Sequence, residues 1–175
     1  MAITLEELAK EVQKLKDIEE IKVLKARYSD MCDSNHDWTQ IKDLFAPDAK
    51  WIGDPTQPWG GGNNREEIEK LFQFYQTQMD GVPGVGVLGH NPMAPQITVA
   101  DDGVHATGKW HMFGAFRMFE GRAETGSKSF LEQGKYEDEY GNLDPNGKWF
   151  ISQLSFWDTL CASPQDGWDD KVIQW

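Results

Sequence analysis

Leu24-Lys25-Ala26-Arg27-Tyr28-Ser29-Asp30-Met31-Cys32-Asp33-Ser34-Asn35-His36-Asp37-Trp38 decides how the rest of the chain is read. Its first half continues a helical stripe that begins upstream, with apolar residues at Leu8, Val12, Leu15, Ile18, Ile21, Leu24, Tyr28 and Met31. Its second half stops that helix in a polar turn. Asp37 then stands as the N-cap of a short helix carrying Trp38, Ile41, Leu44 and Phe45. Tyr28 and Asp33 thus end one amphipathic helix just before another begins. A carboxylate placed among apolar helical faces is costly to bury without a partner or a task, so both residues are candidates for a pocket.

Outward from this stretch, Thr4-x-x-Glu7 is a capping box that starts the first helical region, 3–35. The region is one long helix or two broken near Lys16-Asp17. The short helix covers 37–46 and Pro47 ends it. A strand from Ala49 to Gly53 follows, with Trp51 and Gly53 on one face. Asp54 to Gly62 is too rich in Pro and Gly for regular structure and reads as a lip carrying Trp59. Its three glycines lack the Lys-Ser/Thr of a phosphate loop. A third helix spans 65–79, with Ile68, Leu71, Phe72 and Tyr75 as its buried stripe. Beyond Gly81 the period changes to alternation. Strands are expected near Val85–His90, Gln96–Ala100, Val104–Met118, Ser127–Tyr140 and Lys148–Thr159, which make a curved antiparallel sheet over 85–159. A polar tail covers 160–175. Helices first and a meandering sheet afterwards predict a single α+β domain over 1–175.

The composition narrows the function. A formal charge of −12 argues against nucleic acid and against anionic membrane surfaces. Eight Trp and nine Phe suit a pocket for a flat, greasy ligand. Cys32 and Cys161 offer neither a disulfide framework nor metal-ligand spacing, and the histidines add none, so no metal and no cofactor are expected. The N-terminus lacks the charge and apolar run of a signal peptide, and no stretch is long enough to span a membrane. The expectation is a cytoplasmic protein.

Several motifs resemble one known group. They are Leu15-Lys16-Asp17-Ile18-Glu19-Glu20-Ile21-Lys22-x-Leu24-Lys25, the pair Tyr28 and Asp33, Gly89-His90-x-Pro92, Ala106-Thr107-Gly108-Lys109-Trp110, and Gly147-Lys148-Trp149-Phe150-Ile151. Together they resemble the SnoaL-like group of the nuclear transport factor 2-like superfamily over roughly Thr4 to Thr159. Within it the likeness is nearest to bile acid 7α-dehydratase, with scytalone dehydratase and hexachlorocyclohexane dehydrochlorinase further off. The resemblance implies a cone-shaped α+β fold around one pocket. It also implies a cofactor-free lyase in which a base removes a proton and a leaving group departs.

Carried over residue by residue, the resemblance gives Tyr28 and Asp33 a place in the site. The group's catalytic histidine falls on Val87, its acid on Gly114 and its arginine on Asp158. The usual His–Asp dyad is therefore missing unless a bulge turns His90 inward. Alternation puts Phe130, Glu132, Gly134 and Tyr136 on one face of a strand, so Glu132 joins Tyr28, Asp33, His90 and Asp158 as a catalytic candidate. Asp33 or Glu132 would take the proton, and Tyr28 and His90 would serve the departing or carbonyl oxygen. Trp51, Trp59, Trp110, Met112, Phe116, Phe130 and Phe156 are the expected substrate-binding walls. Asp30, His36 and His105 are read as solvent or hairpin residues, and His111 as pointing away.

The expected reaction is dehydration, or a retro-aldol-like cleavage such as the loss of formaldehyde performed by SnoaL-like diarylpropane lyases. The substrate would be a small hydrophobic, aryl-bearing hydroxylated compound. The alternatives are an isomerase or cyclase, which needs the same base, and a non-catalytic ligand-binding module. The fold and the aromatic surplus suggest a homotrimer or homodimer.

Overall fold

The computed structural model describes residues 3–56, 60–79, 89–119, 127–142 and 147–163. Trp59, Val87, the start of the strand expected from Val85, and the tail from residue 164 lie outside these residues.

The capping box forms as expected, with Thr4 and Glu7 each accepting from the other's backbone N–H. It opens α1 (Leu5–Asp33), which runs unbroken through Lys16-Asp17. Only the second half of α1 is buried, through Asp17, Ile21, Leu24, Lys25, Tyr28, Met31 and Cys32. Leu5, Leu8, Val12 and Leu15 are exposed. The Asp17 carboxylate is tolerated inside because Gln13 and the Trp149 indole each donate to it at 3.1 Å.

After α1 the chain turns through Asn35 and His36, both in the left-handed region at φ 61° and 48°. Asp37 then caps a 3₁₀ turn (Trp38–Gln40) that passes into α2 (Ile41–Leu44). The expected helix over 37–46 is therefore shorter, and Phe45 already begins β1 (Phe45–Ile52). Pro47 sits inside that strand. It is accommodated where the pairing with the neighbouring strand is interrupted, between Phe45 and Lys50, so its missing N–H breaks no ladder bond. β2 is the short Gly61–Gly62. Asn64 caps α3 (Arg65–Phe74) by accepting from Glu67 N–H at 2.9 Å. The remainder of the expected helix, Tyr75–Met79, widens into a π-helical turn.

Four strands follow: β3 (His90–Val99), β4 (His105–Phe119), β5 (Ser127–Asn142) and β6 (Trp149–Ala162). The six strands form one sheet in the order β2-β1-β6-β5-β4-β3. All neighbours are antiparallel except β1 and β6, which run parallel, so the sheet is mixed rather than wholly antiparallel. This is an α+β fold whose sheet curves around the helices. The core lies between the inner face of the sheet and the buried stripe of α1, with Ile41, Leu44, Ile68 and Phe72 closing it.

The strands expected at Val85–His90 and Gln96–Ala100 are joined by β3. Met93 pairs with His111 and Gln96 with Lys109, so two residues of β3 face the single Trp110 of β4. Ala94, at φ 50°, supplies the left-handed bend of this bulge. The extra residue reverses the parity of the strand. Beyond the bulge Ile97 and Val99 pair with the inward positions Gly108 and Ala106, whereas before it His90 pairs with the inward Gly114. The bulge thus turns His90 toward the interior.

Candidate functional site

The inner face of the sheet and the end of α1 enclose a pocket. Its walls are Trp51, Phe72, Tyr75, Met112, Phe116, Phe130, Tyr136 and Phe156, and its polar groups come from Tyr28, Cys32, His36, His90 and Glu132. The space free of protein atoms within it and at its mouth is about 560 Å³. Two glycines shape these walls. A Cβ on Gly114 would lie 2.3 Å from the Phe116 ring and 2.5 Å from the Gly89 carbonyl oxygen. On Gly134 it would lie 2.4 Å from the Phe156 ring. The bare strand positions let both rings fold down onto the sheet. Phe130 stacks on Phe116 with ring centres 5.2 Å apart.

At one side His90 and Asp33 form a tight pair. The His90 Nδ1 is 2.7 Å from Asp33 Oδ1, and the His90 backbone N–H donates to both carboxylate oxygens at 3.0 and 3.2 Å. One carboxylate thus fixes both the ring and the strand that carries it, leaving Nε2 as the nitrogen available to the pocket. Burial holds the imidazole below its ordinary pKa, against the opposing pull of the Asp33 hydrogen bond. The ring packs edge-on against Phe116, 4.9 Å between centres.

Glu132 lies in the same row as His90. His90 pairs with Gly114, and Gly114 pairs with Glu132. Glu132 is only 4% exposed, and its carboxyl group hydrogen-bonds to that of Asp158, which is fully buried behind it. Burial, then the hydrogen bond and charge of Asp158, push its pKa up to about 10. The Asp158 backbone N–H donates to Asp54, which is itself held by Thr56. In the pocket's centre the Tyr28 hydroxyl accepts from the Trp51 indole at 3.2 Å and also bonds to Cys32, and burial raises its pKa well above the ordinary value.

Beneath the pocket lies a charged pair. Lys25 Nζ is 2.8 Å from Asp138 Oδ2, both side chains are fully buried, and the ammonium sits 3.3 Å from the centre of the Tyr136 ring. The Tyr140 hydroxyl also donates to Asp138, and the Trp110 indole donates to Tyr140. Burial lowers the Lys25 pKa and raises that of Asp138.

A family model described as the SnoaL-like domain matches residues 13–155. The chain belongs to the SnoaL-like domain family. Solved structures share its fold. One is a candidate scytalone dehydratase from Novosphingobium aromaticivorans, 17% identical over 86% of this chain and 89% of that one, with a TM-score of 0.69. Another is a hexachlorocyclohexane dehydrochlorinase, LinA type 2, 14% identical over 87% and 92%, with a TM-score of 0.69. A third, from N. aromaticivorans, is described as a nuclear transport factor 2-like protein with a cystatin-like fold. It is 18% identical over 89% and 90%, with a TM-score of 0.60.

Within this SnoaL-like pocket the residues expected from sequence take distinct places. Tyr28, His90 and Glu132 line it, as do Trp51, Met112, Phe116, Phe130 and Phe156. Asp33 and Asp158 stand one layer behind, on His90 and Glu132 respectively. Trp110 is buried but belongs to the network under the pocket, and Trp59 lies outside the described residues. His105 pairs with Asp102 on the surface, and His111 is exposed.

His36 is the clear correction. It was expected exposed in its turn, but it is 6% exposed and packs against Phe72, Tyr75 and His90. The left-handed pair Asn35-His36 swings the ring back under α3, a conformation no spacing rule signals. With Cys32 and His90 it brings three ligand atoms within 4.8 Å of one another. These donors are of the kind that a borderline metal such as Zn²⁺ accepts, a cluster the linear spacing does not reveal. Cys32, Phe72, Tyr75 and Tyr136 also line the pocket without having been singled out for it. The helical stripes through Tyr28 and Phe72 were the signal that would have found three of them.

No described helix is long and apolar enough to cross a membrane.

Proposed function

We propose that the protein is a lyase that uses no organic cofactor and acts on a hydrophobic, aryl-bearing hydroxylated small molecule. The observation that carries this reading is the Asp33–His90 pair at the edge of an aromatic pocket. A carboxylate fixes Nδ1, burial keeps the ring neutral near neutral pH, and Nε2 is left as a base. His90, rather than Asp33 or Glu132, then takes the proton, and Asp33 has the orienting role that the resemblance implies for it.

In the dehydration form, Nε2 removes a proton from carbon, the C–H electrons become a double bond, and the neighbouring C–O bond breaks. The hydroxyl leaves as water after gaining a proton. In the retro-aldol form, Nε2 takes the proton of a hydroxyl group, the O–H electrons form the C=O of a departing aldehyde such as formaldehyde, and the electron pair of the broken C–C bond is quenched when His90 returns the proton to that carbon. The aromatic walls position the aryl group, and Tyr28 offers a phenol to the reacting oxygen. The names of the structures sharing this fold, a dehydratase and a dehydrochlorinase, support elimination as the class of chemistry. Met93 and Phe113, exposed on the outer face of the sheet, support association into a homodimer or homotrimer.

The test is incubation with a panel of aryl-bearing diols and 1,3-hydroxy compounds, followed by mass spectrometry. Loss of water or of formaldehyde supports the lyase. A product of unchanged mass would replace it with an isomerase, and binding without conversion would leave a ligand-binding module.

A further inference from the structure

The Glu132–Asp158 pair has a geometry that restricts the substrate further. Two carboxyl groups hydrogen-bond to each other only when one of them carries a proton, since two carboxylates have acceptors and no donor. Asp158 is fully buried, its backbone N–H is already committed to Asp54, and Glu132 is 96% buried by its 4% exposure. Among the described residues, the titratable side chains that sense Glu132 are Asp158 on β6, Tyr75 after α3 and Tyr136 on β5, none of them a cation, while Cys32, His36 and His90 share its pocket. Glu132 lines the pocket, and its Oε1 is buried and meets no donor among the described residues. A buried acceptor without a donor carries a desolvation penalty that a ligand donor removes.

We propose that Glu132 and Asp158 share one proton, and that Glu132 Oε1 is the docking point for an uncharged substrate hydroxyl, which donates its hydrogen there. The site then selects alcohols or phenols over carboxylates. A substrate carboxylate would bring a second set of acceptors against an anionic pair where the sequence places no arginine, since Asp158 occupies that position. The hydroxyl docked at Glu132 lies across Gly114 from His90, so a compound bridging the two presents its carbon skeleton to the base.

The raised Glu132 pKa agrees with a retained proton. What becomes of the docked hydroxyl rests on the lyase reading above, but the docking itself is tested without turnover.

The experiment has two arms on the full chain. Infrared difference spectra of wild type against Glu132→Gln at neutral pH should show the C=O stretch of a protonated carboxylic acid, sensitive to deuterium exchange and lost in the variant. Titration calorimetry with 2-naphthol, 2-methoxynaphthalene and 2-naphthoate reads the docking. Wild type should bind the naphthol about tenfold tighter than the methyl ether, the worth of one hydrogen bond, and bind the carboxylate weakest. Glu132→Gln keeps a neutral acceptor beside Asp158 and should keep that preference, whereas Glu132→Leu should lose it.

Absence of the protonated-carboxyl band, or equal binding of naphthol and its ether, overturns the proposal whatever the activity assays give. Failure of every panel compound to turn over, with both arms positive, would remove the lyase reading and leave this hydroxyl subsite in place.

Discussion

His90 and Glu132 occupy one row of the sheet on either side of Gly114, His90 pairing with that glycine on β3 and Glu132 on β5. Two inter-strand spacings put their backbones about 10 Å apart. The glycine between them leaves room for the Phe116 ring. With His90 as the proposed neutral base at one end and Glu132 as the proposed protonated carboxyl at the other, the site is polarised along the row.

This polarity predicts a bell-shaped pH profile. The base must be neutral, so kcat/KM should rise with pH through an apparent pKa below the ordinary histidine value of about 6.5 and be flat at neutrality. It should fall again near pH 10 as Glu132 ionises. Glu132→Gln should abolish the alkaline limb and leave the acid limb in place.

Glu132 also sets a pH dependence of stability. Its folded pKa, about 10, lies above its unfolded value of about 4.3, so between these limits the folded state binds more protons than the unfolded one. Wild-type stability should therefore decline as pH rises from mildly acidic to alkaline. Glu132→Gln should flatten this slope and raise Tm at pH 8, as read by calorimetric melts.

Gly114→Ala should fail for steric reasons. The added methyl meets the Phe116 ring and the Gly89 carbonyl oxygen well inside contact distance. A loss of about 1–3 kcal/mol in denaturant melts is expected, with a larger loss of activity as Phe116 is pushed against His90.

Deleting Ala94 should remove the bulge in β3 and leave one continuous ladder in which His90 still pairs with Gly114 and faces inward. The prediction is a folded protein by circular dichroism that keeps measurable turnover. Ala94→Gly, which relieves the left-handed backbone, should also keep activity and raise stability by about 1 kcal/mol.

Removing one partner of the buried Lys25–Asp138 pair should be costly. Lys25→Met strands the Asp138 carboxylate in the core and is expected to destabilise by about 3–5 kcal/mol in urea melts. The double change Lys25→Met with Asp138→Leu should recover most of that loss.

Much of this was legible in the sequence because it depends on local pattern. The stripe from Ile21 to Met31 and the alternation through Glu132 and Tyr136 specify which residues face inward, and the capping box and Asp37 specify where helices start. The motifs through Tyr28, His90 and Trp149 lead to the SnoaL-like family. What escaped depends on single backbone angles and on pairing between distant strands. The left-handed turn at Asn35-His36 hid a buried histidine. The bulge at Ala94 decided the orientation of His90, which a strict alternation would have reversed. Trp110 shares its inward face with Met112, yet its indole is drawn to Tyr140 and out of the pocket.

His90, oriented by Asp33, is the proposed base. The direct measurement compares kcat and ligand affinity for wild type, His90→Gln and Asp33→Asn on whichever aryl-bearing hydroxylated compound is converted. The expected result is a fall in kcat of about 10²-fold or more in both variants while affinity stays within a few-fold. Full activity in His90→Gln, with the protein folded and the compound bound, would contradict it.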